Sequence, residues 1–180
     1  MLNPQTLAST LINAFRNSTN GISSASDALD VLGKELTKYI TDNIEIKASW
    51  TAFTTSSPPA KDPMTLVDCK LEGLNIVLTP SNSSNSSESF LVLKNQLINA
   101  FSVATIIIKD ASFSTSPAAV GTSPGLNSLI LTSSGANNQQ DAFSNLTSSI
   151  ITWVKTLIPT TPLAGNHGSF VGQGLVTLIS

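Results

Sequence analysis

The chain has 180 residues, of which 41% are hydrophobic and only 11% charged, and its formal net charge is −2 at pH 7. Nine basic residues against eleven acidic ones leave no basic surface for nucleic acid, and no apolar run is long enough to span a membrane. One cysteine and one histidine cannot complete a structural zinc site, so we expect neither a metal nor a cofactor.

The N-terminal part of the chain predicts two amphipathic helices. Leu7, Leu11 and Phe15 recur every four residues behind Pro4, a residue that suits a first helical turn. A polar run with a glycine ends this helix, and serines then offer N-caps for a second one. The apolar stripe of the second helix comprises Leu29, Leu32, Leu36, Tyr39 and Ile40.

The hydrophobic period then changes to two, which predicts strands. Residues 44–52 alternate apolar and polar side chains, as a strand with one buried face requires. The segment 54–62 contains consecutive prolines and is predicted as a loop. Residues 64–71 and 74–79 alternate again around Glu72-Gly73, which predicts a hairpin.

A polar linker over 80–89 separates this part from a third helix, for which Ser86 or Ser87 offers an N-cap. The stripe of that helix comprises Phe90, Leu93, Leu97 and Phe101. The apolar segment 103–109 follows, and its composition predicts a strand inside a sheet.

The last third of the chain alternates loops with regular elements. A Ser/Pro/Gly loop over 114–125 precedes a short predicted strand over 126–132. Apolar residues at helical spacing predict a fourth helix over 138–158, which Pro159 ends. A Pro/Gly loop then leads to a final strand near 170–179.

This order of elements predicts a single α+β domain over 1–180, with about four amphipathic helices packed on a mainly antiparallel or mixed sheet. The sequence leaves open whether the helices cover one face of the sheet or both. The stretches from Val31 and from Val92 share a VL-x4-L helix, an I-x-I-K strand end and an F-[TS]-T-S loop. They suggest two duplicated helix–strand halves, 22–80 and 86–132, although chance explains the similarity equally well in a chain rich in Ser and Thr. The segments outside these halves are the helix 4–17 and the helix–loop–strand 138–180.

The sequence offers little support for enzymatic chemistry. A serine hydrolase would need His167 as its base, because the chain has no other histidine. The string Gly121-Thr-Ser123-Pro-Gly125 has the spacing of a nucleophile elbow, but Pro124 removes the backbone N–H that an oxyanion hole needs. The acidic residues are dispersed and no phosphate-binding loop occurs, so we expect a protein that is not an enzyme.

The segment 165–174, GNHGSFVGQG, carries the most information, because four glycines in ten residues specify unusual backbone angles and close approach. One interpretation is a tight loop before an edge strand, in which His167 satisfies a backbone carbonyl. Another is that the loop and the last strand pack against a neighbouring subunit. The candidate subunit-contact residues are Asn166, His167, Ser169, Phe170 and Val171.

The chain resembles small virion structural proteins of tailed bacteriophages, from the neck, tail or baseplate. The resemblance lies in the N-terminal helix pair, the strand ending in Ser-Trp-Thr at 49–51, two further helix–strand units and the terminal G-x-H-G-x-F-x-G string. It implies a non-enzymatic assembly protein of the virion, made in the bacterial cytoplasm. Its partners would be other virion proteins and copies of itself.

Two other functions stay open. A decoration or glycan-binding module would need an aromatic platform on its surface, and both tryptophans lie on predicted core stripes. A serine hydrolase would need His167 in a cleft with a serine and an acid within hydrogen-bond reach.

Overall fold

Four helices pack against one face of a seven-stranded antiparallel sheet in the computed structural model, which describes residues 1–18, 22–82, 85–131 and 138–180. The helices are α1 (Pro4–Asn17), α2 (Ala25–Asn43), α3 (Ser86–Ser102) and α4 (Gln139–Val154). The strands are β1 (Ile46–Thr54), β2 (Leu66–Glu72), β3 (Thr105–Ile108), β4 (Phe113–Thr115), β5 (Ala118–Ala119), β6 (Leu163–His167) and β7 (Phe170–Ile179). This architecture confirms the predicted α+β class.

The sheet has the strand order β4-β6-β7-β1-β2-β3-β5 and curls into a half-barrel. Its two longest strands, β1 and β7, pair along their whole length at the centre. Alternate residues of β1 are buried, namely Ile46, Ala48, Trp50 and Ala52. They join the apolar stripes of the helices in one core, as the alternation over 44–52 predicts.

Short polar side chains, abundant in this sequence, begin the helices. The Ser24 hydroxyl accepts from the N–H of Asp27, and the Asp27 carboxylate accepts from the N–H of Ser24, so this capping box satisfies two otherwise unpaired donors. Asn3 caps α1 and Asn138 caps α4 in the same way through the side-chain oxygen. Helix α3 is capped by Asn85, one residue before the serines that the sequence suggests.

The predicted hairpin is wrong in its second strand. Strand β2 pairs with β1 and β3, while residues 74–79 form no strand and run across α2 instead. There the N–H of Ile76 donates to the Thr37 hydroxyl at 2.9 Å. Leu74, Ile76 and Leu78 are buried. The alternation over 74–79 therefore correctly indicated a segment with one buried side. Its described backbone hydrogen bond, however, is to the Thr37 side chain of α2 and not to a neighbouring strand.

Gly33 lets the segment 74–79 pass close to the backbone of α2, and replacing this glycine tests that packing. A Cβ at Gly33 would lie 2.4 Å from the carbonyl oxygen of Ile76. Gly→Ala inside a helix ordinarily stabilises by up to about 1 kcal/mol, but here we expect Gly33→Ala to destabilise by about 1–2 kcal/mol because the crossing segment must shift. Urea unfolding measures the change, with Lys38→Ala on the exposed side of α2 as the control. A stabilised Gly33→Ala variant would contradict this packing.

Two predictions for the segment 114–132 need correction. Residues 126–132 do not form the predicted strand in their described part, which contains a 3-10 helix, Leu126–Ser128; residue 132 lies outside the described residues. Trp153 fixes this turn by donating its indole N–H to the carbonyls of Gly125 and Leu126. The predicted loop 114–125 contains most of β4, all of β5 and a second 3-10 helix, Val120–Thr122.

The final strand is not an edge strand. Strand β7 lies between β1 and β6, and β6 occupies the segment predicted as a Pro/Gly loop. The helix predicted over 138–158 ends earlier, at Val154. Within the two suggested halves, the units α2–β1 and α3–β3 lie so that β1 and β3 flank β2. The duplication stays a hypothesis.

Candidate interaction surface

The candidate contact residues lie where β6 turns into β7, and the structure separates them onto two sides. His167 ends β6, Gly168 and Ser169 form the turn, and Phe170 begins β7. His167 and Phe170 are partly buried and pack together, whereas Asn166, Ser169 and Val171 are exposed. The positive φ of Gly168, 56°, suits this tight turn.

Asp62 anchors the turn from beneath. Its side chain, 1% exposed, accepts three hydrogen bonds: from the indole Nε1 of Trp50 at 2.9 Å, from the N–H of Met64 at 2.9 Å and from Nδ1 of His167 at 2.8 Å. Because a carboxylate only accepts, Nδ1 of His167 carries a proton in this pair. His167 therefore binds a carboxylate and not the backbone carbonyl that the sequence suggests.

Opposing effects act on the Asp62 carboxyl. Burial alone raises its pKa, but hydrogen bonds from Met64, His167 and Trp50 favour the ionised form and together lower the pKa below its usual range. The ionised carboxylate thus joins the loop after β1 to the end of β6, two segments 105 residues apart in sequence.

Aromatic rings complete the cluster around Asp62. The His167 ring stacks on Phe113 with a centroid distance of 4.3 Å and an interplanar angle of 7°. Trp50 contacts the same phenylalanine edge to face at 5.0 Å. On the other side of His167, the Phe170 ring lies 6.4 Å away. These rings pack together on the helix-facing side of the sheet. We call this group the Asp62 cluster; its members are Trp50, Asp62, Phe113, His167 and Phe170.

The Asp62 cluster has part of the geometry of a hydrolase. A buried carboxylate on Nδ1 orients an imidazole as in a catalytic triad, and the His167 side chain is 24% exposed. In the described part of the chain, however, no serine, threonine or cysteine side chain hydrogen-bonds this imidazole. Ser123 of the elbow-like string is buried and donates to the carbonyl of Thr156. Among the described residues, His167 is thus an oriented imidazole to which no hydroxyl or thiol is hydrogen-bonded.

The opposite side of the sheet carries exposed apolar residues. Residues paired across strands share a face, and the pairing brings Leu175 of β7, Ser49 of β1 and Leu66 of β2 into one row. Val171 and Phe53 are paired at one end. Leu178 is paired with Lys47 at the other. We call this side of β7, β1 and β2 the outer face; its exposed apolar residues are Phe53, Leu66, Val171, Leu175 and Leu178, each 45–56% exposed.

The outer face is nearly free of net charge. Lys47 pairs with Asp68 on the neighbouring strand, so its row contributes a neutral ion pair. The ion pair raises the pKa of Lys47 and lowers the pKa of Asp68, which keeps both groups charged at neutral pH. The intervening residues are Ser49, Thr51 and Gln173. Lys70 and Glu72 form a second ion pair on the same side of β2. A partly apolar surface without net charge is typical of a protein–protein contact.

Comparison with models of protein families, with curated proteins and with solved structures found no match to this chain. In the parts of the chain that the structure describes, no helix combines the length and apolar character that crossing a membrane requires. Over the same residues, no three His, Cys, Asp or Glu side chains are grouped so that they could hold a metal ion.

Sequence reasoning included Val171 but missed the rest of the outer face. A signal was present in β7, where the doublets Leu175-Val176 and Leu178-Ile179 place apolar residues on both sides of one strand. Asp62 was missed because it belongs to a proline-rich loop, where an exposed carboxylate is the ordinary expectation. Nothing local distinguishes it from the other ten acidic residues.

Proposed function

We propose that this chain is a non-enzymatic assembly protein that acts through subunit–subunit contacts made by the outer face. The observation that carries the proposal is the group of five half-exposed apolar residues on three adjacent, uncovered strands. Isolated exposed apolar residues are common on soluble proteins, but several on one face of a sheet favour an interaction site.

The setting we propose is the virion of a tailed bacteriophage, as a neck, tail or baseplate component. This part of the proposal draws on the sequence resemblance, with synthesis in the bacterial cytoplasm and other virion proteins or copies of the same chain as partners. The low charge of the chain supports it, because charged residues are costly to desolvate at the centre of an interface.

The oriented histidine favours a hydrolase as the second candidate function. That function requires a nucleophile at Nε2 of His167, and no described hydroxyl or thiol hydrogen-bonds this imidazole. A glycan-binding module has less support, because Trp50 and Trp153 are 1% and 3% exposed and Tyr39 is 7% exposed. Their rings are therefore not available to stack on a sugar.

Leu175→Glu tests the assembly function. A carboxylate in the middle of the outer face would be desolvated without a partner on association, so we expect at least a tenfold weaker self-association or partner binding. Light scattering across a concentration series gives the native mass of each protein. The matched control is Leu91→Glu, because Leu91 is 54% exposed on α3 and Leu175 is 48% exposed.

The two substitutions add the same charge to opposite sides of the molecule. If both variants keep the mass and association of the unmodified protein, the outer face is not the contact and the proposal fails. Loss of association in Leu91→Glu alone would place the contact on the helical side.

A further inference from the structure

The outer face fits one kind of partner better than others, and this inference rests on the proposed function. We infer that the outer face binds the outer face of a second copy of this chain, related by a two-fold axis, so that the two sheets form a sandwich.

Charge is the first argument for a second copy. The outer face presents two acids and two bases, and they pair with each other as Lys47–Asp68 and Lys70–Glu72. A strongly charged partner such as nucleic acid or an anionic membrane would find no opposite charge here. Two copies of the face meet without net repulsion, and their apolar rows can cover one another.

The size of the face is the second argument. At ~3.4 Å per residue, β1 and β7 are about 30 Å long and β2 is about 24 Å long, so at ~4.8 Å spacing the three strands have a footprint of about 400 Å². Side-chain ridges make the accessible area of the face larger than this footprint, and a specific contact needs to bury at least about 1,000 Å² in total, about 500 Å² from each partner. The outer face is thus large enough for a specific contact between two copies.

The edges of the sheet provide the third argument, because they are poorly suited to pairing with an edge strand of another copy. The edge strand β4 has three residues and β5 has two. Such short edges leave few unpaired N–H and C=O groups to template another strand. Copies that associate through the sheet therefore meet face to face and not edge to edge.

Site-specific cross-linking tests the two-fold arrangement. Ser49 is exposed between Leu175 and Leu66 at the centre of the outer face. Ser49→Cys therefore places a thiol near its own counterpart across a two-fold contact. Packed sheets lie ~10 Å apart, which a short bis-maleimide spans. Cys69 is buried and burial raises its pKa to about 11, so the native thiol stays unreactive. Ser148→Cys, exposed on α4, is the control.

We expect the Ser49→Cys protein to give a covalent dimer and the Ser148→Cys protein to stay monomeric on a denaturing gel. Adding Leu175→Glu to Ser49→Cys should reduce the dimer band at least fivefold. Association that Leu175→Glu disrupts, without a Ser49 cross-link, would overturn the two-fold arrangement and leave the proposed function standing. If Leu175→Glu changes neither association nor cross-linking, both fail.

Discussion

Asp62→Asn is expected to lower the free energy of unfolding by about 3 kcal/mol, the upper end of the cost of leaving a buried hydrogen-bonding group unpaired. Asparagine has nearly the same shape but a single acceptor oxygen. It would face the three N–H donors of Trp50, Met64 and His167 with an amide that itself donates. At least one buried donor is then left unpaired. Urea unfolding at neutral pH measures the loss.

The pH dependence of this difference identifies its cause. The folded-state pKa of Asp62 is lowered, so its ionised form stabilises the protein above the unfolded-state value of about 3.9. That contribution is lost as the pH falls through the folded-state pKa. The gap between the unmodified protein and Asp62→Asn should therefore narrow as the pH falls below about pH 4.

Asp30→Asn is the control for a general charge effect. Asp30 forms an exposed ion pair with Lys34 one helical turn away, and such pairs contribute little to stability. We expect it to unfold almost as the unmodified protein does. An Asp62→Asn variant that matched this control would show that the three hydrogen bonds around the carboxylate do not stabilise the fold.

The sequence predicted those elements whose stability depends on local periodicity. The stripe of α2 and the alternation of β1 each repeat for several turns or residue pairs, and Leu36, Ile40, Ile46 and Trp50 are buried as expected. Strand β6 was missed because Ala164, Gly165 and Asn166 have low strand propensity. It is a strand because β4 and β7 pair with it on both sides.

The candidate site was predictable only in part, for a related reason. The glycine-rich segment drew attention to His167 and Val171, but the partners of these residues come from distant parts of the chain. Asp62 meets His167 and Phe53 meets Val171 through the pairing of β1 with β7. Strand pairing over such separations is set by the global arrangement of the sheet, which no short window of sequence contains.

Gly172→Ala is expected to destabilise the protein by about 3 kcal/mol, the upper end of the cost of overpacking a core. A Cβ at this position would lie 2.1 Å from the carbonyl oxygen of Thr51 and 2.4 Å from the Cβ of Ala52. Both atoms belong to β1, the directly paired strand, so relief requires the two central strands to separate. Thermal or urea unfolding measures the effect.

Gly174→Ala, two residues along β7, separates this close approach from the general effect of adding a methyl group. A Cβ there would lie 3.3 Å from a ring carbon of Trp50, so a small movement of the indole accommodates it, and we expect a loss of less than about 1 kcal/mol. Equal losses at the two positions would contradict the close contact of Gly172 with β1. Because Gly172 follows Val171, parting the strands also displaces Val171 from Phe53. Gly172→Ala should therefore weaken both folding and association, whereas Leu175→Glu should weaken association alone.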